Sequence, residues 1–233
     1  MRRPVCRWTP AVHDLLRHLE HAGFAAAPRV VCVEADVEVL TYIDGEVPGD
    51  PWPVALRTDA TLTETGRVLR AFHDAVATFA PPRGCEWRLG TVPLVDDDVV
   101  RHGDVGPWNT VWRAGHLVGL IDWDFAVPGP AIADLAQAAI GFVPLARDAV
   151  WRRAGFTHPP DRRHRLAVLC DAYGADPLAV VDAAQRVRRT ETEQLRDLGG
   201  RGVEPYATFL ARGAVEAMRL SDEWLERHRD QLI

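Results

Sequence analysis

Four side chains that carry hard oxygen ligands fall within one stretch, Arg101 to Asp124 (RHGDVGPWNTVWRAGHLVGLIDWD): Asp104, Asn109, Asp122 and Asp124. Carboxylates gathered beside apolar strands repel one another unless a cation offsets them. Magnesium suits such a set, because it takes one or two protein carboxylates and fills its remaining positions with water and substrate phosphates. The cluster therefore points to a metal site engaged with a phosphate-bearing substrate. Within it, His102-x-Asp104-x-x-x-x-Asn109 has the spacing of a kinase catalytic loop. An aspartate that takes a hydroxyl proton must sit within hydrogen-bond reach of the nucleophile. An asparagine later on the same loop can then turn back to share the ion that Asp122 holds. Asp124 is open to three readings: it orients Asp122, approaches the substrate, or solvates the turn. Asp134 reads as a helix cap or a structural hydrogen-bond acceptor.

These residues need elements to position them. Thr110–Arg113 and Leu117–Ile121, joined by the turn Ala114-Gly115, read as a hairpin that brings Asn109 beside Asp122. Upstream, residues 1–8 read as extended chain. Thr9-Pro10 reads as a helix N-cap followed by proline at the first helical position, opening a helix over 10–22 on the apolar period Val12, Leu15, Leu16, Leu19. Arg29–Val33 and Glu38–Ile43 read as two strands around an acidic turn. Gly45–Pro53, rich in proline and glycine, reads as a linker. An amphipathic helix follows over Thr61–Phe79; His73 within it reads as a packed or surface histidine. The loop 81–98 ends in the acidic triplet Asp96-Asp97-Asp98, read as a solvated turn. Downstream, Val127–Pro130 reads as a rigid turn, Asp134–Ile140 as a helix, and Arg165–Tyr173, Leu178–Leu198 and Ala207–His228 as three more, separated by glycines. The fold class is therefore α+β, with a small piece over 1–45 and a larger, mainly helical piece over 46–233.

Composition narrows the classes of partner. The 233 residues, 47% of them hydrophobic, suffice for a full core, and a formal charge of −6 argues against sequence-independent nucleic-acid binding. Cys6, Cys32, Cys85 and Cys170 are scattered without a CxxC pair, so they read as reduced core thiols. No apolar run approaches the ~18 residues of a membrane span and no signal-peptide pattern opens the chain, which makes a cytoplasmic location the default expectation. All 27 basic side chains are arginine. No role that needs a lysine amine can be filled.

HGDVGPWN followed by LVGLIDWDFAVPGPAIADLA resembles the aminoglycoside phosphotransferase and choline kinase-like family. TPAVHDLLRHLEHAGFAAAPRVV and EVLTYIDGE are similar to that family's first-lobe helix, its following strands and its nucleotide hinge. The resemblance implies a protein-kinase-like two-lobe fold that transfers the γ-phosphate of ATP or GTP, with Mg2+, to a hydroxyl of a small molecule: an aminoglycoside-like compound, an amino alcohol or a sugar. It makes Asp104 the catalytic base, Asn109 and Asp122 the metal ligands and His102 the support of the loop. Thr41, Tyr42 and Ile43 then lie along the adenine edge. The chain departs from the family by starting at what resembles the third strand, without the Gly-rich loop and its lysine. Arg2 or Arg3 stands near the lysine position, and Asp14 or Glu20 is the available substitute for the ion-pairing glutamate of the first helix. The departures keep open an alternative, a non-catalytic kinase-like binding protein. They also predict an exposed sheet edge in the first lobe, and with it a homodimer.

Overall fold

A computed structural model describes residues 1–95 and 97–233. Its small N-terminal part is an antiparallel sheet of β1 (Arg2–Pro4), β2 (Val30–Glu34) and β3 (Val37–Leu40), in the order β1-β3-β2. Helix α1 (Thr9–His21) covers one face of it. The apolar period read from the sequence is the buried stripe of that helix: Val12, Leu15, Leu16 and Leu19 are fully buried. Thr9 is not its N-cap. The cap position is Trp8, and the Thr9 hydroxyl instead accepts from the backbone N–H of Cys6 at 2.9 Å, closing the turn that leads into the helix. Strand β3 ends at Leu40, so Thr41–Ile43 leave the sheet as irregular chain.

The larger part is helical. Helix α2 (Asp59–Val76) buries Leu62, Leu69, Phe72 and Val76 and packs against α5 (Arg162–Tyr173). Helix α3 (Ile132–Phe142) lies against the long α6 (Pro177–Gly200). Two short antiparallel pairs carry the loop between them. One is β4 (Val99–Arg101) with β7 (Val127–Gly129), the other β5 (Thr110–Arg113) with β6 (His116–Leu120). One contiguous apolar core joins Leu15 of α1, Phe72 of α2, Leu135 of α3, Leu169 of α5 and Val180 of α6.

Several readings change here. Val127–Pro130 is not only a turn: Val127, Pro128 and Gly129 pair with Arg101, Val100 and Val99, and this ribbon holds the start of the catalytic-type loop. Gly45–Pro53 is not a free tether. Glu46 and Trp112 exchange both backbone hydrogen bonds at 2.8 Å, and Trp52 is buried against Phe142 and Phe156. The last expected helix is two, α7 (Tyr206–Ala211) and α8 (Ala214–His228), because Gly213 takes φ of +76° between them. Helix α4 (Asp148–Arg153) was not expected, being too short to show a period. Of the four cysteines, none of which is bonded to another, only Cys170 is fully buried; Cys6, Cys32 and Cys85 are half-exposed. Asp96 of the acidic triplet lies outside the described residues, while Asp97 is exposed in a turn. Among the described residues, no helix is long and apolar enough to cross a membrane.

Candidate active site

The loop after β4 is held from below by one carboxylate. Asp134, near the start of α3, accepts from the backbone N–H groups of His102 at 2.7 Å and Gly103 at 2.9 Å. Its Oδ2 also meets His73 Nε2 at 3.3 Å, and His73 Nδ1 meets the Tyr173 hydroxyl at 2.8 Å. Burial works against the charge on Asp134, yet the hydrogen bond and charge of His73 and the charges of Arg101 and His102 outweigh it and hold the carboxyl below the ordinary range. Asp134 is thus the structural acceptor the sequence suggested, and His73 is the packed histidine.

His102 ties this loop to the strand beyond it. Its Nε2 donates to the Ile121 carbonyl at 3.0 Å, its Nδ1 accepts from the Asp104 N–H at 3.3 Å, and its ring packs on Trp123. Gly103, at φ +81°, allows the close approach. A Cβ there would stand 2.1 Å from the Phe125 carbonyl oxygen. The two segments that carry the candidate catalytic residues therefore touch through backbone.

Asp104 faces the cleft. Its Oδ2 accepts from Asn109 Nδ2 at 2.8 Å, and the same nitrogen reaches the Asp104 backbone carbonyl at 2.9 Å; Trp108 Nε1 lies 3.3 Å from Oδ1. Burial pushes the Asp104 carboxyl above the usual carboxylate range and the negative charge of Asp122 adds to it, against the opposing effects of His102, Trp108 and Asn109. The amide nitrogen of Asn109 is committed to Asp104, which leaves its oxygen as the atom that could meet a metal. Asp122 follows β6 in the left-handed conformation, φ +61°, ψ +65°, rare for a residue with a Cβ and the kind of local strain found at functional sites. Its side chain is 48% exposed, and the only ion pair it makes among the described residues is a long one, to Arg3 at 3.8 Å. No group of three or more His, Cys, Asp or Glu forms a closed metal cage among the described residues. Asn109 and Asp122 are the oxygen-bearing residues here that could hold a magnesium ion whose remaining positions are filled by water and phosphates.

Arg3 links the sheet to this cleft. Cross-strand partner of Glu38, it places Nε 2.5 Å from Glu38 Oε1 and Nη2 2.8 Å from Asp124 Oδ1. Glu38 is buried, and its other oxygen meets His13 Nε2 of α1 at 2.5 Å. This corrects the expectation for the ion pair. Asp14 and Glu20 pair loosely with Arg17 and Arg29, at 3.4 and 3.9 Å, and the acid that holds Arg3 is Glu38. Arg2 pairs with Glu34 away from the cleft. The one sequence signal for Glu38 is a charge on the inward face of an alternating strand, the face that also carries Leu40; it does not name the partner. Asp124 is held by Arg3 and, at 3.5 Å, by Arg88, so its carboxylate is a junction between sheet and cleft rather than a solvated turn. Of the hinge residues, Thr41 exchanges hydrogen bonds with Arg29, Ile43 packs on Gly119 of β6, and Tyr42 is 74% exposed.

Beside Asp104 lies a cavity of about 850 Å³, bounded by the catalytic-type loop, α3 and α6 and by α7 and α8. Its wall comes from helices distant in the chain, so no single stretch announces it.

A sheet with one covering helix, a hinge, and a helical part that presents an aspartate, an asparagine and a second aspartate over a cavity define the protein-kinase-like fold of small-molecule phosphotransferases. In fold the chain is similar to solved aminoglycoside phosphotransferases, and its central segment matches a phosphotransferase family model. Residues 85–169 match the family described as the phosphotransferase enzyme family. The trifolitoxin immunity protein of Rhizobium leguminosarum bv. trifolii is 41% identical over 174 residues, which make up 72% of this chain and 64% of that protein. This chain thus spans somewhat under two thirds of the length of its curated relative. Among solved structures, a Ralstonia eutropha protein assigned to the aminoglycoside phosphotransferases has a TM-score of 0.65 at 12% identity, covering 97% of this chain and 85% of that one. Amicoumacin kinase hAmiN, solved in complex with AMP-PNP, Ca2+ and Ami, has 0.64 at 12% identity, covering 94% and 80%. At such identities the structures establish the fold.

Proposed function

We propose that the protein is a magnesium- and nucleotide-dependent phosphotransferase that moves the γ-phosphate of ATP or GTP to a hydroxyl of a small molecule, and that this modification disarms a toxin or antibiotic. The observation that carries the reading is the arrangement of Asp104, Asn109 and Asp122. Asp104 stands at the mouth of the cavity, bonded to Asn109, with the open carboxylate of Asp122 across the cleft. An acceptor hydroxyl held in the cavity gives its proton to Asp104 as its oxygen bonds to the γ-phosphorus, and the bond from phosphorus to the bridging oxygen breaks to release the nucleoside diphosphate. Asn109 orients the Asp104 carboxylate, and His102 and Asp134 fix the loop on which it rides. Asn109 Oδ1 and Asp122 are the residues that would hold magnesium, whose chemistry is to neutralise charge on the transferring phosphate. Arg3 is the cation available to the phosphates in place of a lysine, and Thr41, Tyr42 and Ile43 are the candidate adenine edge. The toxin reading draws on the relative named for immunity to trifolitoxin. We further propose that two copies pair through the small sheet.

The test is magnesium-dependent transfer of labelled phosphate from ATP and from GTP, by the protein and by Asp104→Ala, to a panel of hydroxylated antibiotics. Transfer that needs Asp104 supports the proposal. Nucleotide binding without transfer to any compound overturns it in favour of a non-catalytic binding protein. The specific observation behind that second reading is Arg3, whose guanidinium stands 2.8 Å from Asp124 and 3.8 Å from Asp122, on the ground a metal–phosphate complex would take.

A further inference from the structure

The cavity beside Asp104 holds one half-buried acid that the phosphoryl-transfer scheme does not use. Glu191 projects from the face of α6 that also carries Val187 and Leu195, and its Oε1 accepts from Gln137 Nε2 at 2.9 Å. The same Gln137 nitrogen donates to the Gly103 carbonyl at 2.8 Å, and its oxygen accepts from the Val105 N–H at 3.4 Å, so a ligand bonded to Glu191 is registered against the loop that carries Asp104. Burial pushes the Glu191 carboxyl above the usual range, and the charge of Asp104 acts in the same direction. Around this acid the wall is chiefly aliphatic and aromatic: Ile132 and Ile140 from α3, Val187 and Leu195 from α6, and Phe209 and Met218 from α7 and α8. Arg101 and Arg186 also line the space, so its acids do not outnumber its bases by enough to pair several ammonium groups.

Resting on the phosphotransferase reading, we infer that this cavity takes a largely apolar acceptor with one amine or N–H donor bonded to Glu191 and a hydroxyl presented to Asp104, and that it rejects polycations. A volume of about 850 Å³ is that of a site for a mid-sized organic molecule, much larger than a simple amino alcohol fills. Its surface is chiefly apolar, and of its three lining acids, Asp104, Asp122 and Glu191, Glu191 is the one that the transfer scheme leaves available for orientation. Each additional ammonium of a polyamine would have to be desolvated against aliphatic wall without a partner.

Calorimetric titration without nucleotide tests the pocket separately from the chemistry. Three apolar monoamine alcohols, erythromycin, propranolol and submicellar sphingosine, are compared with three polycations, kanamycin, gentamicin and streptomycin. At least one of the first group is expected to bind about tenfold tighter than every polycation, and Glu191→Gln to weaken it about tenfold, the loss of one charge-assisted hydrogen bond. Val187→Arg, which fills the apolar wall, is expected to abolish binding, with a thermal melt establishing that the variant is folded. Tighter binding of a polycation, indifference to Glu191→Gln, or failure of all three apolar compounds overturns the inference. If the apolar compounds bind as stated and phosphate moves to no compound of either group, the phosphotransferase reading fails and the pocket assignment stands. If phosphate moves but only to polycations, the reverse holds.

Discussion

Asp104 and Asp134 are two aspartates on neighbouring backbone whose surroundings push them in opposite directions. Burial and the charge of Asp122 raise Asp104 despite its hydrogen bonds, whereas His73 and Arg101 lower Asp134 despite its burial. A proton acceptor must be ionised to work, so transfer is expected to rise with pH through a midpoint above the ordinary aspartate value of about 3.9. Asp104→Asn is expected to lower kcat by about 10²- to 10⁴-fold with an unchanged melting curve; a pH–rate profile without that acid limb would contradict the assignment. For Asp134 the sign is opposite and concerns stability. Its depressed folded pKa stabilises the fold above the unfolded carboxylate value, and this contribution is lost as pH falls through the lower folded one. The gap in Tm between the protein and Asp134→Asn is therefore expected to be widest near neutral pH and to shrink in acid. Glu38→Gln removes the charge that pairs Arg3 and His13, and is expected to cost roughly 3 kcal/mol in a denaturant titration. Asp104, Asn109 and Asp122 were singled out because a motif of fixed spacing names them, and the fold bonds Asp104 to Asn109. Glu38, Arg88 and Glu191 were not singled out, because their partners come from other elements and a lone charge in a sequence does not name its partner.

At the scale of elements, what brings the site together is the contact between the loop after β4 and the turn after β6. That contact depends on Gly103. Gly103→Ala adds a Cβ at 2.1 Å from the Phe125 carbonyl carbon's oxygen and a side chain at φ +81°, so the turn after β6 must move away from the loop. The variant is expected to lose more than about 1 kcal/mol of stability. It should lose activity more steeply than stability, since Asp104 and Asp122 separate before the core yields; a variant as active as the parent would show that the two segments do not need this register. The hairpin β5–β6 was read from sequence almost to the residue because a turn between alternating strands is a local signal. The β4–β7 ribbon was not, since its strands are three residues each, lie 25 residues apart and include Pro128. Helices α1, α2, α5 and α6 followed from their apolar stripes. The break between α7 and α8 at Arg212-Gly213 was missed because the apolar period runs through it, and only the backbone at Gly213 interrupts the helix.

For the whole molecule the open question is the sheet edge. The three-stranded sheet has β1 and β2 at its margins, and neither has an outer partner strand among the described residues. The two margins are not equivalent. Strand β1 is three residues long and carries Arg2 and Pro4, a charge and a missing N–H, both devices that discourage strand addition. Strand β2 is longer, and its own Val31 and Val33 stand 59% and 49% exposed. Pairing of two copies through β2 covers both valines and satisfies the free backbone groups, and it leaves Arg3, Asp122 and the cavity clear. A dimer is therefore expected in sedimentation velocity at micromolar concentration. Val31→Lys with Val33→Lys, which places charges on the β2 surface, is expected to shift the mass to that of a 25.8 kDa monomer without lowering phosphate transfer. A parent protein that already sediments as a monomer, or a double variant that stays dimeric, would remove β2 as the interface.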